Sequence, residues 1–271
     1  MNSAPKRKVM AIVNATPDSF WAGSRAEDGE QVTHMVSRAV EQGATIVDIG
    51  GYSTRPGAVE VPVEEEKRRV LGAVESARRV APSVTLSIDT FRSEVAEAVL
   101  MRHEGVIIND VSAGEIDGRM VEVVAHYGAP MVAMHMKGTP QTMQGLASYD
   151  DVVAEVREYL ARRAEWLVAH GVGEVIVDPG FGFAKSVEQN FRLMEGLDTI
   201  AALGYELLVG ISRKSFIYKT LGTDAEGALA GTTALHWECL RRGASVLRVH
   251  DVAEARQTIE LYEKLHTCYD K

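Results

Sequence analysis

Three observations predict a single-domain α/β fold for this chain, a (β/α)8 TIM barrel. Short apolar runs alternate with longer amphipathic stretches, there are eight such pairs, and no Gly/Pro/Ser-rich linker divides them. Continuous rather than alternating apolar strands suit a parallel sheet covered by helices. Eight units in 271 residues match a barrel, typically ~250 residues long. The pattern alone leaves a doubly wound open sheet as the alternative. The one domain spans residues 1–271, with its core at about 9–265.

In chain order, the strands are predicted at Val9–Val13, Ile46–Ile49, Thr85–Ile88, Val106–Ile108, Met131–Met134, Val175–Val177, Leu207–Val209 and Ser245–Val249. Apolar residues at helical spacing follow each one. Val32, Met35, Val36, Ala39 and Val40 line one face of the first helix, and Val70, Leu71, Val74 and Ala77 one face of the second. The longest helix, from Asp150 to His170, turns Val152, Val153, Val156, Leu160, Leu167 and Val168 inward. The run Glu64-Glu65-Glu66-Lys67-Arg68-Arg69 sets opposite charges four apart on the second helix and reads as a solvated face.

Apolar residues make up 46% and charged residues 25%, an ordinary globular composition. The net charge of -9 weighs against nucleic acid or an anionic membrane as partner. An anionic substrate therefore needs a local basic pocket. Cys239 and Cys268 have no metal-ligand spacing and read as free thiols. No run reaches the ~18 apolar residues of a membrane span, and the basic start at Met1–Lys8 precedes an apolar run too short for a signal peptide. A cytoplasmic location is the expectation.

In a barrel, catalysis belongs at the carboxyl ends of the strands, and the unusual residues of this chain collect there. Asn14–Phe20 follows strand one, and Gly50–Gly57 strand two. Strands three and four end in Asp89-Thr90 and Asn109-Asp110. Met134–Pro140, Asp178–Phe183, Ser212–Ser215 and Arg248–Asp251 close the remaining four. Singly, each has a plain explanation: Asp89 as a helix N-cap, Asn109 and Asp178 as turn residues, Arg248 in a surface ion pair, and His135 as a packed histidine. Gly50-Gly51 and Gly180-Phe181-Gly182 are neither Walker nor Rossmann fingerprints and read as positions needing positive φ.

Together the residues make two complementary sets. Asp89, Asn109 and Asp178, with Lys214, offer acceptors and donors for a flat heterocycle with an aminopyrimidine edge. Arg55, Arg248 and His250 suit phosphate oxygens, and Asn14 could offer its carbonyl to a Mg²⁺ held mainly by substrate phosphates. The segments 16–26 and 53–61, rich in Gly, Pro and Ser, read as loops that close over the site.

Asn14–Phe20, Asp48–Ala58, Ser87–Thr90, Ile107–Val111, Met134–Met143, Asp178–Phe183, Gly210–Ile217 and Arg248–Val252 resemble, in order and in register, the signature segments of the dihydropteroate synthase family. The resemblance runs from about Val9 to Leu265. It implies the condensation of 6-hydroxymethyl-7,8-dihydropterin pyrophosphate with p-aminobenzoate in folate biosynthesis, with Arg55, Lys214, Arg248 and His250 as the catalytic residues. By the same resemblance Asp89, Asn109, Met134, Asp178 and Lys214 hold the pterin. Asn14, through Mg²⁺, holds the pyrophosphate with Arg55, Arg248 and His250. Thr54, Pro56, Phe183, Lys214 and Ser215 border the p-aminobenzoate pocket, which sulfonamides share by mimicry.

It further implies a homodimer through the later helices. One position departs from the family pattern: Trp21-Ala22-Gly23-Ser24 stands where Asp-Gly-Gly is usual, so Ala22 replaces a first-loop carboxylate. That departure keeps a catalytically silent pterin-binding paralogue as one alternative. A methyltetrahydrofolate–corrinoid methyltransferase is another; it shares the pterin-binding acids but has no need of Lys214-Ser215 together with Arg248 and His250.

Overall fold

The computed structural model describes residues 7–15, 25–52, 60–139 and 142–267. Eight parallel strands close on themselves in sequence order: β1 (Lys8–Asn14), β2 (Ile46–Gly50), β3 (Thr85–Asp89), β4 (Ile107–Asp110), β5 (Met131–Met134), β6 (Val175–Asp178), β7 (Glu206–Val209) and β8 (Val246–Val249). Pairing of β8 with β1 excludes the open doubly wound sheet.

Period-two alternation sorts the strand residues into two cores. Met10, Ile46, Ile107, Val132, Ile176, Leu208 and Val246 form one buried cluster inside the barrel. Their neighbours along the strands, among them Ala11, Val47, Ile108, Met131, Val177, Leu207 and Leu247, join the larger cluster packed under the helices. Both faces are buried, which is why the strand sequences are apolar without a break. Toward the carboxyl end the inward positions turn polar, with Asp48, Ser87 and Asn109 all buried. Buried polar groups cost free energy unless they are paired, so this layer reflects a site rather than packing.

The helices α1 (Arg25–Glu41), α2 (Val63–Val80), α3 (Ser93–Leu100), α4 (Met120–Tyr127), α5 (Val152–Ala169), α6 (Val187–Glu195), α7 (Leu197–Ala201), α8 (Ser215–Leu221), α9 (Leu229–Arg241) and α10 (Val252–Thr267) form the outer ring. Two helices instead of one join β6 to β7 and β7 to β8. Asp151 caps α5 by accepting from the Val153 and Ala154 amides, and Ser186 with Gln189 forms a capping box on α6.

Three expectations are corrected. The inward stripe of α5 runs through Val152, Val156, Leu160, Ala164 and Leu167; Val168, about 100° further round, is 50% exposed. Val40, where α1 ends and the chain turns back to the sheet, is likewise exposed. The charged run on α2 is not wholly solvated. Lys67 and Arg68 do pair with Glu64 and Glu65 at the surface, but Glu66 is fully buried and accepts from Thr90 Oγ1 and Arg92 Nη1, both at 2.7 Å.

Candidate active site

The register aligns a row of inward positions at the carboxyl end: Asn14 pairs with Gly50, Gly50 with Asp89, and Asp89 with Asn109. Gly50 does not have a positive φ, contrary to expectation. A Cβ there would be in ordinary contact with Asp89 Cβ at 3.5 Å and Asn14 Oδ1 at 3.7 Å, so Gly50 lies between the acid and the amide. Gly51 is a matter of space, its Cβ position being 2.8 Å from Val70 Cγ2. Gly180 and Gly182 do have positive φ, at 67° and 80°.

Asp89 is not a helix cap; α3 begins after Arg92. Its carboxylate instead accepts from Arg248 Nη2 at 2.7 Å, while Arg248 Nε donates to Asp48 Oδ2 at 2.6 Å. Asn109 Nδ2 donates to the same Asp48 oxygen at 3.0 Å. Asp48 and its register neighbour Ser87 each keep a buried oxygen, Oδ1 and Oγ, without a hydrogen-bond partner among the described residues. Unsatisfied polar atoms inside a barrel mouth are what a polar ligand edge would pair. Burial pushes Asp89 up to about 7 against the pull of Arg248. Burial works against the Arg248 charge too, but Asp48 and Asp89 outweigh it and raise its pKa.

Across the mouth, Asp178 accepts the Gly180 amide at 2.8 Å. Burial raises its pKa against the nearby Lys214 ammonium. Burial lowers Lys214 to about 8, with Asp178 opposing. The Lys214 ammonium donates to the Phe181 carbonyl and lies 4.7 Å from the centroid of the Phe183 ring. Arg213, just before it, has a strained φ of 54°. A two-pronged pair with Asp251, both bonds at 2.8 Å, ties Arg213 to the end of β8.

Met134 packs with Val111, Met136, Met143 and Ala184, with Phe91 and Phe183 against them; this is an apolar wall for one face of a ring. Ser215 opens α8. His250 sits exposed at the rim, its Nδ1 3.1 Å from Ser212 Oγ. His135 is buried and neutral: burial, then Lys185, lowers it to about 3.

The mouth thus brings together Asp89, Asn109, Asp178, Lys214 and Arg248 directly, with Asn14, Met134, Phe183, Ser215 and His250 around them. Thr54, Arg55 and Pro56, together with Ala22, lie outside the described residues. Two residues escaped the sequence reading. Asp48 shares the parity of Gly50 and is the acid inside an otherwise apolar strand, a signal that was available. Lys185 lies beyond the strand end in an ordinary-looking loop, and nothing in the sequence marks it.

Comparison with known proteins decides among the readings of this geometry. The pterin binding enzyme family matches residues 10–250. The dihydropteroate synthase of Synechocystis sp. is 39% identical over 260 residues, covering 95% of this chain and 89% of that protein. The chain belongs to the dihydropteroate synthase family. Solved members superpose closely. The Xanthomonas albilineans enzyme with 4-aminobenzoic acid matches at a TM-score of 0.88 and 39% identity, over 96% of this chain and 93% of that one. The Thermus thermophilus enzyme in complex with 6HMPPP matches at 0.81 and 37%, over 96% and 94%. As a dihydropteroate synthase family member the chain is a transferase. A corrinoid methyltransferase would be a transferase too; it is the match to dihydropteroate synthases along nearly the whole chain that sets that alternative aside.

Proposed function

We propose that the barrel mouth condenses 6-hydroxymethyl-7,8-dihydropterin pyrophosphate with p-aminobenzoate, giving 7,8-dihydropteroate and pyrophosphate. The observation that carries this reading is Arg248, whose guanidinium stands in the same mouth as Asp89, Asp178 and Lys214 and bonds Asp89 directly. Groups suited to a nitrogen heterocycle and groups suited to a diphosphate are thereby within reach of one ligand.

Asp89, Asn109, Asp178 and Lys214 take the edge of the pterin, and Met134 its face. Asp48 orients Arg248 and Asn109 from below. Arg248, His250 and Arg55 hold the departing pyrophosphate and stabilise its charge as the bond to the exocyclic methylene breaks. Asp89 and Asp178 stabilise the positive charge left on the pterin. The neutral amine of p-aminobenzoate, seated among Thr54, Pro56, Phe183, Lys214 and Ser215, then attacks, and its proton passes to solvent. No protein nucleophile takes part.

Mg²⁺ fits this donor set in one way. No cluster of three or more His, Cys, Asp or Glu among the described residues could hold a metal. The amide oxygen of Asn14 at the mouth suits an ion that takes most of its ligands from substrate phosphates and water. Bound there, Mg²⁺ would neutralise leaving-group charge.

A cytoplasmic homodimer completes the reading. Cys239 is a buried free thiol, no helix among the described residues is long and apolar enough to cross a membrane, and α10 exposes Leu261 and Leu265.

The test is a coupled assay for dihydropteroate formation from the two substrates with Mg²⁺. Product formation supports the assignment, and pterin binding without pyrophosphate release would make the chain a silent relative. Release of pyrophosphate before any amine is added would support bond breaking first; release only with amine would favour direct displacement.

A further inference from the structure

The loop after β6 is organised around one ammonium group. Lys185 Nζ donates to the carbonyls of Gly180 at 2.9 Å and Phe183 at 3.1 Å, and to His135 Nδ1 at 3.0 Å. Burial lowers Lys185 to about 7; in its ammonium form it has only donors, so His135 then presents Nδ1 as an acceptor and carries its proton on Nε2. The ring of His135 is wedged edge-on against Tyr159, which leaves Lys185 a fixed partner.

The loop is otherwise strained. Gly180 runs so close to the His135 carbonyl that a Cβ would fall 2.0 Å from that oxygen, and Ala184 has a φ of 48°. Asn190 braces the far side, accepting from the Gly182 amide at 2.7 Å and donating to the Ser186 carbonyl at 2.7 Å. Such a conformation persists only where its surroundings over-determine it. The two carbonyls that Lys185 holds flank Phe181 and run to Phe183, the residues whose carbonyl and ring meet the Lys214 ammonium.

We propose that Lys185 is a positioning residue for the acceptor half of the reaction: by fixing the Gly180 and Phe183 carbonyls it sets the Phe183 ring, the wall on which p-aminobenzoate docks. The proposal rests on the assignment of Phe183 to that pocket. The pterin side depends on it less, because Asp89 and Asn109 stand on other strands and are held there by Arg248 and Asp48.

The test compares wild type with Lys185→Met and Lys185→Cys, the latter before and after aminoethylation, which rebuilds a lysine-like ammonium; wild type is treated in parallel to account for its own thiols. The loss of charged hydrogen bonds predicts a KM for p-aminobenzoate raised about tenfold. Affinity for pterin pyrophosphate, read by calorimetry, stays within about twofold, and aminoethylation restores most of the KM. An unchanged KM, an equal loss on the pterin side, or no recovery on aminoethylation overturns the role. Should Lys185→Met not fold, the aminoethylated and untreated Lys185→Cys proteins carry the comparison alone. A wild type without turnover takes the function down with the proposal, whereas an active wild type and unaltered variants take down Lys185 only.

Discussion

Asp48 and Asp89 reach the same edge of one guanidinium, with Arg248 Nε on the first and Nη2 on the second. Removing the arginine strands two buried carboxylates and takes a cation from the leaving group at once. Arg248→Ala should therefore lower kcat/KM by about 10²–10³-fold and reduce stability by roughly 3 kcal/mol. Steady-state turnover and urea unfolding measure the two effects separately; wild-type turnover would refute the leaving-group role. Asp89 carries a second prediction. Its carboxyl is pushed up to about 7 by burial, despite Arg248. The ionised form accepts a hydrogen bond from a ring N–H more strongly than the protonated acid does, so pterin affinity should rise with pH through about 7 and level off above. Asp89→Asn should bind more weakly and without that rise. Calorimetric titration between pH 5.5 and 8.5 (a window of about three units around that value) reads this, and a flat wild-type profile would count against it. Asp48 was legible as chemistry only once its parity with Gly50 was read, because an acid inside a strand can face either way. Lys185 was not legible at all, since its partners are backbone carbonyls that any sequence would supply.

α2 and the start of α3 are joined by a buried ion pair that the charge pattern alone misjudges. Glu66 accepts from Thr90 and Arg92, and Arg92 also donates to the Val61 carbonyl at 2.7 Å, with its guanidinium 5.0 Å from the Tyr52 ring centroid. The network thus bridges the chain that returns from the second loop to the strand that ends in Asp89. Glu66→Ala would leave Arg92 without its carboxylate and should cost about 3–5 kcal/mol, seen as a lower urea midpoint. A loss below about 1 kcal/mol would place the pair with ordinary surface bridges. Glu64 and Glu65 differ from Glu66 only in the side of the helix they occupy. A run of like residues conceals such a difference until the neighbouring strand is in place.

For the molecule as a whole, the exposed Leu261 and Leu265 of α10, at 66% and 47%, lie one helical turn apart, and Leu221 of α8 is 54% exposed. If the later helices pair two copies, Leu261→Glu should convert a dimer to a monomer in sedimentation or light scattering at micromolar concentration. A wild type that already sediments as a monomer would refute the dimer. At this same scale, the amino-acid sequence by itself determined the eight strand–helix units, their order and the end at which the chemistry gathers, while closure of the sheet was decided by the pairing of β8 with β1. The units follow from local rules: apolar runs buried on both faces make parallel strands, helical periodicity makes the covering layer, and the strand–helix turns put polar residues at one rim. Only the tertiary structure decided which of those residues touch. Asp48, Asp89 and Arg248 come from strands far apart in sequence, and their bonds depend on barrel closure and register. The same packing buried Glu66 and drew the Lys185 ammonium into the turn after β6. Burial and pairing are properties of three-dimensional neighbours, and no local pattern encodes them.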